Sequence, residues 1–409
     1  MGLRFLTAGE SHGKALVVIV EGLPAGLAVS ADWVDRELVR RMQGYGRGAR
    51  MKIERDHIEW LAGIRAGETL GSPVSMLIPN RDWANWQDVM AAEGTPGEQR
   101  RRKVTRPRPG HADLVGVLKY DRSDARDILE RASARETAAR VAAGALAKRL
   151  LDEFNIEVGS HVVSLGGIST EPPTRLPTPL NPASDESDIR VLNRAIEPEI
   201  LGRIDQAKAD GDTLGGEIEV IVRGLPLGLG SHVSWDRKLD GRLAGMLMSI
   251  PAVKAIEIGL GLQAARRPGS QVHDPIIADE NGAGTSGGFR RRTNNAGGLE
   301  GGMTTGEPLV VRVAMKPIST LMTPLPTVDL ASGQTARAQS ERSDVTAVPA
   351  MGVIAEALVA LVVADAMLEK FAGDSLSEMR RNYDGYLATL AARWQAMGRE
   401  HDSPSLEVS

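Results

Sequence analysis

The distribution of apolar and polar positions near the N-terminus predicts a strand, a turn and a helix. The apolar, β-branched run of residues 16–20 is closed by Gly-Leu-Pro at positions 22–24, a pattern typical of a buried strand followed by a turn. A helix is expected next, because Ser30 can cap its first turn and Val34 and Leu38 recur four residues apart on one face. This segment is therefore predicted to form a strand-turn-helix unit.

The same pattern recurs in the middle of the chain. Residues 18–27 read VIVEGLPAGL and residues 220–229 read VIVRGLPLGL, so eight of ten positions are identical at a spacing of 202 residues. That spacing is far longer than the unit of a solenoid repeat. Each copy also leads into a helical pattern, the second at residues 237–248. We interpret the repeat as an internal duplication, with chance reuse of a turn motif as the alternative.

The chain is predicted to form one large domain. Residues 1–395 contain no low-complexity segment or interdomain linker, and the duplicated halves are expected near 15–150 and 215–370. The polar C-terminal segment 396–409 is predicted to be a disordered tail.

Two further segments predict helices. Residues 134–154 are rich in Ala, Leu, Arg and Glu and lack proline, although Gly144 lies among them. Residues 353–371 are the most apolar stretch of the chain, but they include Glu356 and Asp365, which would be costly at the centre of a bilayer. We interpret this stretch as a helix of the protein core and expect no membrane partner.

Composition and charge narrow the classes of function. The chain has 409 residues, of which 42% are hydrophobic and 25% charged, as in ordinary globular proteins. It has no cysteine, which excludes disulfides, thiolate catalysis and cysteine-ligated zinc and favours a cytoplasmic location. A net charge of −4 and an aromatic content of 3% disfavour a nucleic-acid partner, although residues 100–103 are basic. Histidine spacings typical of metal sites are absent from the sequence, so no tightly bound metal is expected.

Two histidines lie beside glycines in segments that suggest ligand-binding turns. His12 lies in Gly-Glu-Ser-His-Gly-Lys at positions 9–14, and His111 follows Gly110. Glycines permit tight turns and a histidine exchanges its proton near neutral pH, so the pair suggests two proton-transfer groups. A phosphate-binding P-loop is not supported, because only three residues separate the first glycine from the Gly-Lys pair. Structural turns with satisfied histidines are the alternative.

Arginine-rich loops offer candidate anion sites. Arg108 lies in a loop stiffened by two prolines, and Arg41 and Arg47 bracket a Gly-Tyr-Gly hinge. The predicted helix start at 131–137 could bind an anion through its backbone amides and the Ser133 hydroxyl. Solvated surface loops and ordinary helix capping are the alternatives. The guanidinium of Arg47 is expected to gain little from the protein itself until an anion binds.

A glycine-rich tract is a candidate for close contact with a flat ligand. Residues 282–306 combine many glycines with Asn and Thr side chains that can form hydrogen bonds, but they lack the GxGxxG dinucleotide pattern. A strand-like run follows at 309–313, and then come Lys-Pro-Ile-Ser-Thr at 316–320 and Arg-Ser-Asp-Val at 342–345. Flexible disorder of the tract is the alternative.

Taken in order, these segments resemble the chorismate synthase family. The match runs over roughly residues 3–390 and includes motifs at 9–13, 44–48, 108–111, 131–137, 297–306, 316–320 and 342–345. Seven motifs in order are far more specific than any one of them. The resemblance implies an α+β fold, a β-α-β sandwich of two similar antiparallel sheet layers with helices between them, assembled as a homotetramer.

The resemblance also implies a reaction: a 1,4-anti elimination of phosphate from 5-enolpyruvylshikimate 3-phosphate, which gives chorismate. Reduced FMN is the implied cofactor, with no net redox change, and NADPH is the candidate reductant. By similarity, His12 protonates the departing phosphate and His111 protonates the reduced flavin near N1. Asp344, relayed by Ser11, helps to remove a proton from flavin N5.

Binding residues are implied in the same way. The substrate or a nicotinamide nucleotide would be held by Arg41, Arg47 and Arg108, with Arg135 shared between substrate and flavin. The flavin would lie against Arg131, Ser133, Ala134, Arg135, Ala252, Gly301, Lys316, Pro317, Ile318, Ser319, Thr320 and Arg342. Pro251 stands where many relatives have Gln or Asn, so a side-chain hydrogen bond to flavin from this position is not expected.

Two other classes of protein stay open from the sequence. The arginine loops could hold a pyridine nucleotide in a flavin-dependent oxidoreductase. Phosphate release without net consumption of reductant separates the elimination from that alternative. The basic runs 100–103 and 290–292 could bind RNA, in which case affinity would fall steeply with salt.

Overall fold

The computed structural model describes residues 2–48, 55–94, 102–171, 173–279, 281–340 and 343–400, with side chains described up to residue 397. In these ranges the helices are α1 Ala31–Met42, α2 Gln87–Met90, α3 Asp113–Lys119, α4 Arg126–Ala132, α5 Thr137–Asp152, α6 Leu180–Asp185, α7 Glu197–Asp210, α8 Leu239–Met248, α9 Val348–Phe371 and α10 Leu376–Glu400. The strands are β1 Arg4–Ala8, β2 Ala15–Glu21, β3 Glu59–Ala62, β4 Ile64–Arg65, β5 Glu68–Thr69, β6 Val74–Pro79, β7 Glu157–Leu165, β8 Ile168–Ser169, β9 Gly216–Arg223, β10 Val253–Ile258, β11 Ile276–Ala278, β12 Phe289–Arg291, β13 Leu299–Glu300, β14 Met303–Thr304, β15 Leu309–Met315, β16 Pro326–Val328 and β17 Thr335–Arg337.

Two antiparallel sheets share one strand order. The first runs β1-β2-β6-β3, and the second runs β7-β9-β15-β10 with β8 added at the outer edge of β7. The strands β2 and β9, which hold the repeated sequence, occupy the same place in the two orders. Helices and antiparallel sheets together make the fold α+β, as expected.

The repeated Gly-Leu-Pro turns are held by the same hydrogen bonds. The hydroxyl of Thr69 donates to the carbonyl at the start of turn 24–27 at 2.6 Å and accepts the N–H at its end at 2.9 Å. Thr304 makes the same two bonds to turn 226–229, at 2.6 and 2.8 Å. A threonine far along the chain therefore closes each turn in the same way.

Most of the predicted elements occur, with shifted ends. Ser30 caps α1 by accepting the N–H of Trp33 at 3.2 Å, as predicted. The helix predicted from residue 134 begins with a 3-10 turn at 134–136 and becomes α-helical as α5. The helix α10 continues past residue 396, where a disordered tail was predicted, and the ring of Trp394 in its last turns packs edge-on against Phe289 at 5.4 Å. Residues 401–409 lie outside the described residues.

The helices α5 and α9 form the centre of the core. Helix α5 packs against β2, α9 packs against β7 and β9, and the two helices pack against each other. Gly144 makes that contact possible, because a Cβ at this position would lie 2.4 Å from the Cβ of Ala357. Among the described helices, α9 alone is long and apolar enough to cross a membrane, but 94% of its most apolar window is buried inside the protein. It is a core helix, as predicted.

A buried network of charged groups joins these helices. The carboxylate of Glu356, in α9, has no exposed surface and accepts hydrogen bonds from Arg40 at 2.8 Å and Lys148 at 2.5 Å. It also accepts from Arg190 at 2.9 Å and from the hydroxyl of Ser160 at 2.6 Å. The network therefore links α1, α5, α9 and β7.

Candidate active site

One large cavity collects most of the predicted site residues. Its volume is about 1000 Å³, and its walls come from the loop after β1, the loop after α1, the starts of α5 and α9 and the segment after β15. The predicted residues that line it are Ser11, His12, Arg41, Arg47, Arg108, His111, Ser133, Ala134, Ala252, Lys316, Ile318, Ser319, Thr320 and Asp344. Residues from both halves of the chain therefore meet in one site.

The charge of the cavity is strongly positive. Of the described residues in its lining, two are carboxylates, Asp82 and Asp344, and seven are cations: Arg41, Arg47, Arg102, Lys103, Arg108, Arg126 and Lys316. An excess of one charge in a partly enclosed cavity concentrates ligands of the opposite charge. The cavity therefore suits a small ligand that carries several negative charges.

His12 is held by a carboxylate and a ring. Its Nδ1 lies 2.9 Å from Oε2 of Glu130, and its imidazole stacks on the indole of Trp86 with ring centroids 3.8 Å apart. The side chain of Glu130 also accepts a hydrogen bond from Arg126 at 2.8 Å. Burial alone would raise the pKa of Glu130, but the hydrogen bonds from His12 and Arg126 hold this pKa below its usual range.

His111 is held in a similar way. Its Nδ1 lies 2.6 Å from Oδ1 of Asp113, a carboxylate that also accepts from Nε of Arg108 at 2.8 Å. Arg108 in turn donates to the hydroxyl of Thr320 at 2.9 Å. Burial alone would raise the pKa of Asp113, but the hydrogen bonds from His111 and Arg108 hold it well below the usual range. Each Gly-flanked histidine thus rests on an ionised carboxylate that an arginine also binds.

Two arginines share the buried carboxylate of Asp56. Arg135 donates to it at 2.6 Å, and Nη1 of Arg41 lies 3.8 Å from it without a hydrogen-bond partner. Burial lowers the pKa of Arg41 to about 10, although Asp56 acts in the opposite direction. Arg41 is therefore cationic at neutral pH, and it brings this charge to the wall of the cavity.

Arg47 differs from its predicted setting. Its side chain is only 9% exposed, and its Nε lies 3.4 Å from Oδ2 of Asp344. The other oxygen of Asp344 accepts the backbone N–H of Gly48 at 2.6 Å. The expectation that Arg47 gains little from the protein is therefore wrong, because Asp344 already pairs with its guanidinium. Close by, the hydroxyl of Ser133 donates to Ser11 at 3.2 Å.

Some predicted site residues do not line the cavity. Arg131 donates instead to the backbone of β1, with the carbonyl of Thr7 at 2.9 Å. Arg135 is buried against Asp56, and Pro317 and Gly301 are also absent from the described lining. Arg342 lies outside the described residues.

The glycine-rich tract 282–306 contributes no residue to the described lining. Two of its glycines allow the tract to pack closely against the backbone of neighbouring segments. A Cβ at Gly297 would lie 2.3 Å from the amide nitrogen of Gly259, and a Cβ at Gly298 would lie 2.5 Å from the carbonyl oxygen of Pro308. Both glycines have positive φ, which other residues rarely adopt. The tract as a ligand contact stays a prediction, and the close backbone contacts give a structural reason for these two glycines.

Four residues of the site were missed by the sequence analysis: Glu130, Asp113, Asp56 and Trp86. Glu130 lies 118 residues from His12, and the sequence offers only its helical spacing, four residues after Arg126. Pro251 lines the cavity, so its ring rather than a hydrogen-bonding side chain faces the ligand space. Among the described residues, His, Asp and Glu side chains form no group of three or more that could hold a metal ion.

Comparisons with known proteins identify the family of this chain. The sequence model of the family described as chorismate synthase matches residues 3–368. The chorismate synthase of Geobacter sulfurreducens is 55% identical over 392 residues, which cover 95% of this chain and 100% of the relative. That of Salinispora tropica is 56% identical over 398 residues, which cover 96% and 100%. A solved chorismate synthase structure matches with a TM-score of 0.76 and 42% identity, over 96% of this chain and 99% of its own. This chain belongs to the chorismate synthase family.

Proposed function

We propose that this chain catalyses the 1,4-anti elimination of phosphate from 5-enolpyruvylshikimate 3-phosphate in the presence of reduced FMN, with no net redox change. The observation that carries the proposal is the cationic cavity in which two histidines each rest on a buried carboxylate. The substrate carries a phosphate and two carboxylates, which matches a cavity rich in guanidinium groups. The family match does not favour the alternative of a flavin-dependent oxidoreductase.

The arginines of the cavity bind and orient the substrate. Arg41 offers a buried N–H with no hydrogen-bond partner, and Arg47 reaches the cavity from its pair with Asp344. Arg108 is fixed by Asp113 and Thr320, so little of its side-chain entropy is lost when an anion binds. Arg135 contributes indirectly, because it holds the Asp56 carboxylate beside Arg41.

The histidines carry the protons. His12 delivers a proton to the departing phosphate, whose negative charge grows as the carbon–oxygen bond breaks. His111, held by Asp113, is proposed as the second proton-transfer group of the cavity. Asp344 is proposed to accept the proton lost in the elimination, relayed by the hydroxyl of Ser11, which Ser133 orients.

The cavity also fits the cofactor that the family implies. The chemistry that reduced FMN supplies when bound is the reversible donation of electron density to the substrate. Ser133, Ala134, Ala252, Lys316, Ile318, Ser319 and Thr320 would hold it through hydroxyls, one ammonium group and backbone groups. Ala252 has a left-handed backbone with φ of 69°, and its carbonyl accepts the N–H of Lys316 at 2.9 Å, so the two segments form one wall. NADPH is proposed as the source of reducing equivalents.

Further features belong to the same proposal. A β-α-β sandwich with an internal duplication is supported by the matched strand orders and by the matched bonds of Thr69 and Thr304. A homotetramer, a cytoplasmic location and the lack of nucleic-acid or membrane partners are proposed from the family resemblance and the composition. Analytical ultracentrifugation tests the tetramer.

An anaerobic assay of phosphate release tests the reaction. The protein is mixed with substrate and with chemically reduced FMN, and both phosphate and remaining reductant are measured. We expect many phosphates per flavin without matching loss of reductant, and no turnover with oxidised FMN under strict exclusion of reductant. Turnover with oxidised FMN, or consumption of one reductant per phosphate, would exclude the proposal. Glu219→Gln, outside the described lining of the cavity, serves as the control for handling and folding.

A further inference from the structure

Glu130 is a buried carboxylate beneath His12. Its side chain is 1% exposed. Its Oε2 accepts the backbone N–H of His12 at 2.9 Å and lies at the same distance from the ring Nδ1. Its Oε1 accepts from Nη1 of Arg126 at 2.8 Å. One carboxylate therefore binds the backbone and the ring of His12 together and is itself fixed by a guanidinium.

The protonation state of Glu130 determines which nitrogen of His12 carries a proton. Burial alone would raise the pKa of Glu130, but the hydrogen bonds that its carboxylate accepts hold this pKa below its usual range. Glu130 is therefore ionised at neutral pH. An ionised carboxylate can only accept hydrogen bonds. Nδ1 of His12 must therefore be the donor, and the nitrogen presented to a ligand is Nε2.

The ring plane of His12 is also fixed. The indole of Trp86 stacks on it with an angle of 23° between the rings, and the guanidinium of Arg126 lies 5.1 Å from the indole centroid. Trp86 is itself held, because its Nε1 donates to Asp82 at 2.8 Å. With Nδ1 bonded and one face covered, rotation of the imidazole would break several contacts at once.

We infer that Glu130 is a positioning residue for proton transfer, which holds His12 with Nδ1 protonated so that Nε2 delivers the proton to the leaving phosphate. The inference rests on the proposed role of His12. In the step, the Nε2–H bond breaks, the proton passes to a phosphate oxygen, and the imidazole becomes neutral with its Nδ1–H still donated to Glu130. Arg126 keeps the carboxylate in place, as Arg108 does for Asp113 beside His111.

Glu130→Gln tests the inference in the full-length protein. The amide keeps the shape of the side chain but loses the charge, and it can turn its NH2 group towards His12. We expect kcat to fall about 10- to 100-fold with KM little changed, the usual scale for a group that orients a catalytic residue. The profile of kcat against pH is recorded for the parent and for the variant, because a purely structural role of Glu130 would leave its shape unchanged.

Nitrogen NMR of histidine-labelled protein gives a readout independent of activity. In the parent protein at high pH, His12 should carry its proton on Nδ1, and in Glu130→Gln this preference should be lost. Glu219→Gln is the matched control, because Glu219 lies 3.4 Å from His161, a buried histidine outside the described lining of the cavity. Its kcat and pH profile should equal those of the parent.

The outcomes separate this inference from the proposed function. If His12→Ala loses turnover while Glu130→Gln keeps the parental kcat, pH profile and His12 signals, Glu130 is not a positioning residue. If His12→Ala turns over at the parental rate, the proposed role of His12 fails and the inference falls with it. If Glu130→Gln does not fold, the same measurements are made on Glu130→Asp. This variant keeps the charge but lengthens the distance from the carboxylate to Nδ1 of His12. Partial retention of the Nδ1 tautomer and of kcat in Glu130→Asp is the supporting result.

Discussion

Glu356→Gln is expected to destabilise the fold strongly, because it removes one charge from a neutral buried cluster. Three carboxylates face three cations in this cluster: Glu37, Asp185 and Glu356 against Arg40, Lys148 and Arg190. After the substitution the cations exceed the carboxylates by one. The amide of glutamine also has one oxygen where the carboxylate had two, and its NH2 group would face donors.

The size of the effect follows from burial. Glu356 has no exposed surface, and removal of one partner from a buried ion pair costs about 3–5 kcal/mol because a charge is left without compensation. In the parent, the carboxylate of Glu356 raises the pKa of Arg40 and of Arg190 against the effect of burial, and the variant loses this stabilisation of both cations.

Denaturant unfolding followed by circular dichroism measures this loss in the free energy of unfolding. Asp152→Asn is the control, because Asp152 is 61% exposed and pairs only with Arg149 at 3.1 Å among the described side chains. The control should change the free energy by less than about 0.5 kcal/mol. If Glu356→Gln stayed within about 1 kcal/mol of the parent under the same conditions, the argument from uncompensated charge would be refuted.

The same cluster predicts a dependence on pH. Burial alone would raise the pKa of Glu356, but Arg40, Lys148 and Arg190 hold it well below the ordinary value of 4.5. A carboxyl group whose pKa is depressed by folding stabilises the protein fully above its unfolded pKa and loses that contribution as the pH falls through the folded pKa. The difference in stability between the parent and Glu356→Gln should therefore shrink below about pH 4.

Five further variants test the site and the core. His12→Ala and His111→Ala should each lose about 10²- to 10⁴-fold in kcat and remain folded, and parental turnover with saturating FMN would return that histidine to a structural role. Arg47→Ala should weaken substrate binding, measured by calorimetry, by roughly 1.5–3 kcal/mol, and Arg47→Lys should recover part of this loss. Unchanged affinity in both variants would exclude Arg47 from substrate binding. Gly144→Ala should lower the free energy of unfolding by about 1–3 kcal/mol, because the new Cβ would clash with Ala357. This loss is expected although alanine is the better helix former. A more stable variant would contradict the close contact of α5 and α9.

The sequence by itself determined the local elements and the family. The strand at 16–20, the cap at Ser30 and the repeated turns depend on residues that are near neighbours in the chain, so their periodicity and turn chemistry are visible in the sequence. The ordered motifs identified the family, and most of the site residues that they implied line the cavity. Gly144 was visible too, but only as an irregularity inside a helix.

Only the tertiary structure decided which groups hold the side chains of the candidate site. Glu130 and His12 are 118 residues apart, and no periodic pattern connects two residues that meet through the packing of separate elements. The pairing of Arg47 with Asp344, 297 positions later, and the absence of the glycine-rich tract from the described lining of the cavity were decided in the same way. The charge state and burial of a side chain depend on the groups around it in space, whereas the sequence gives only its neighbours along the chain.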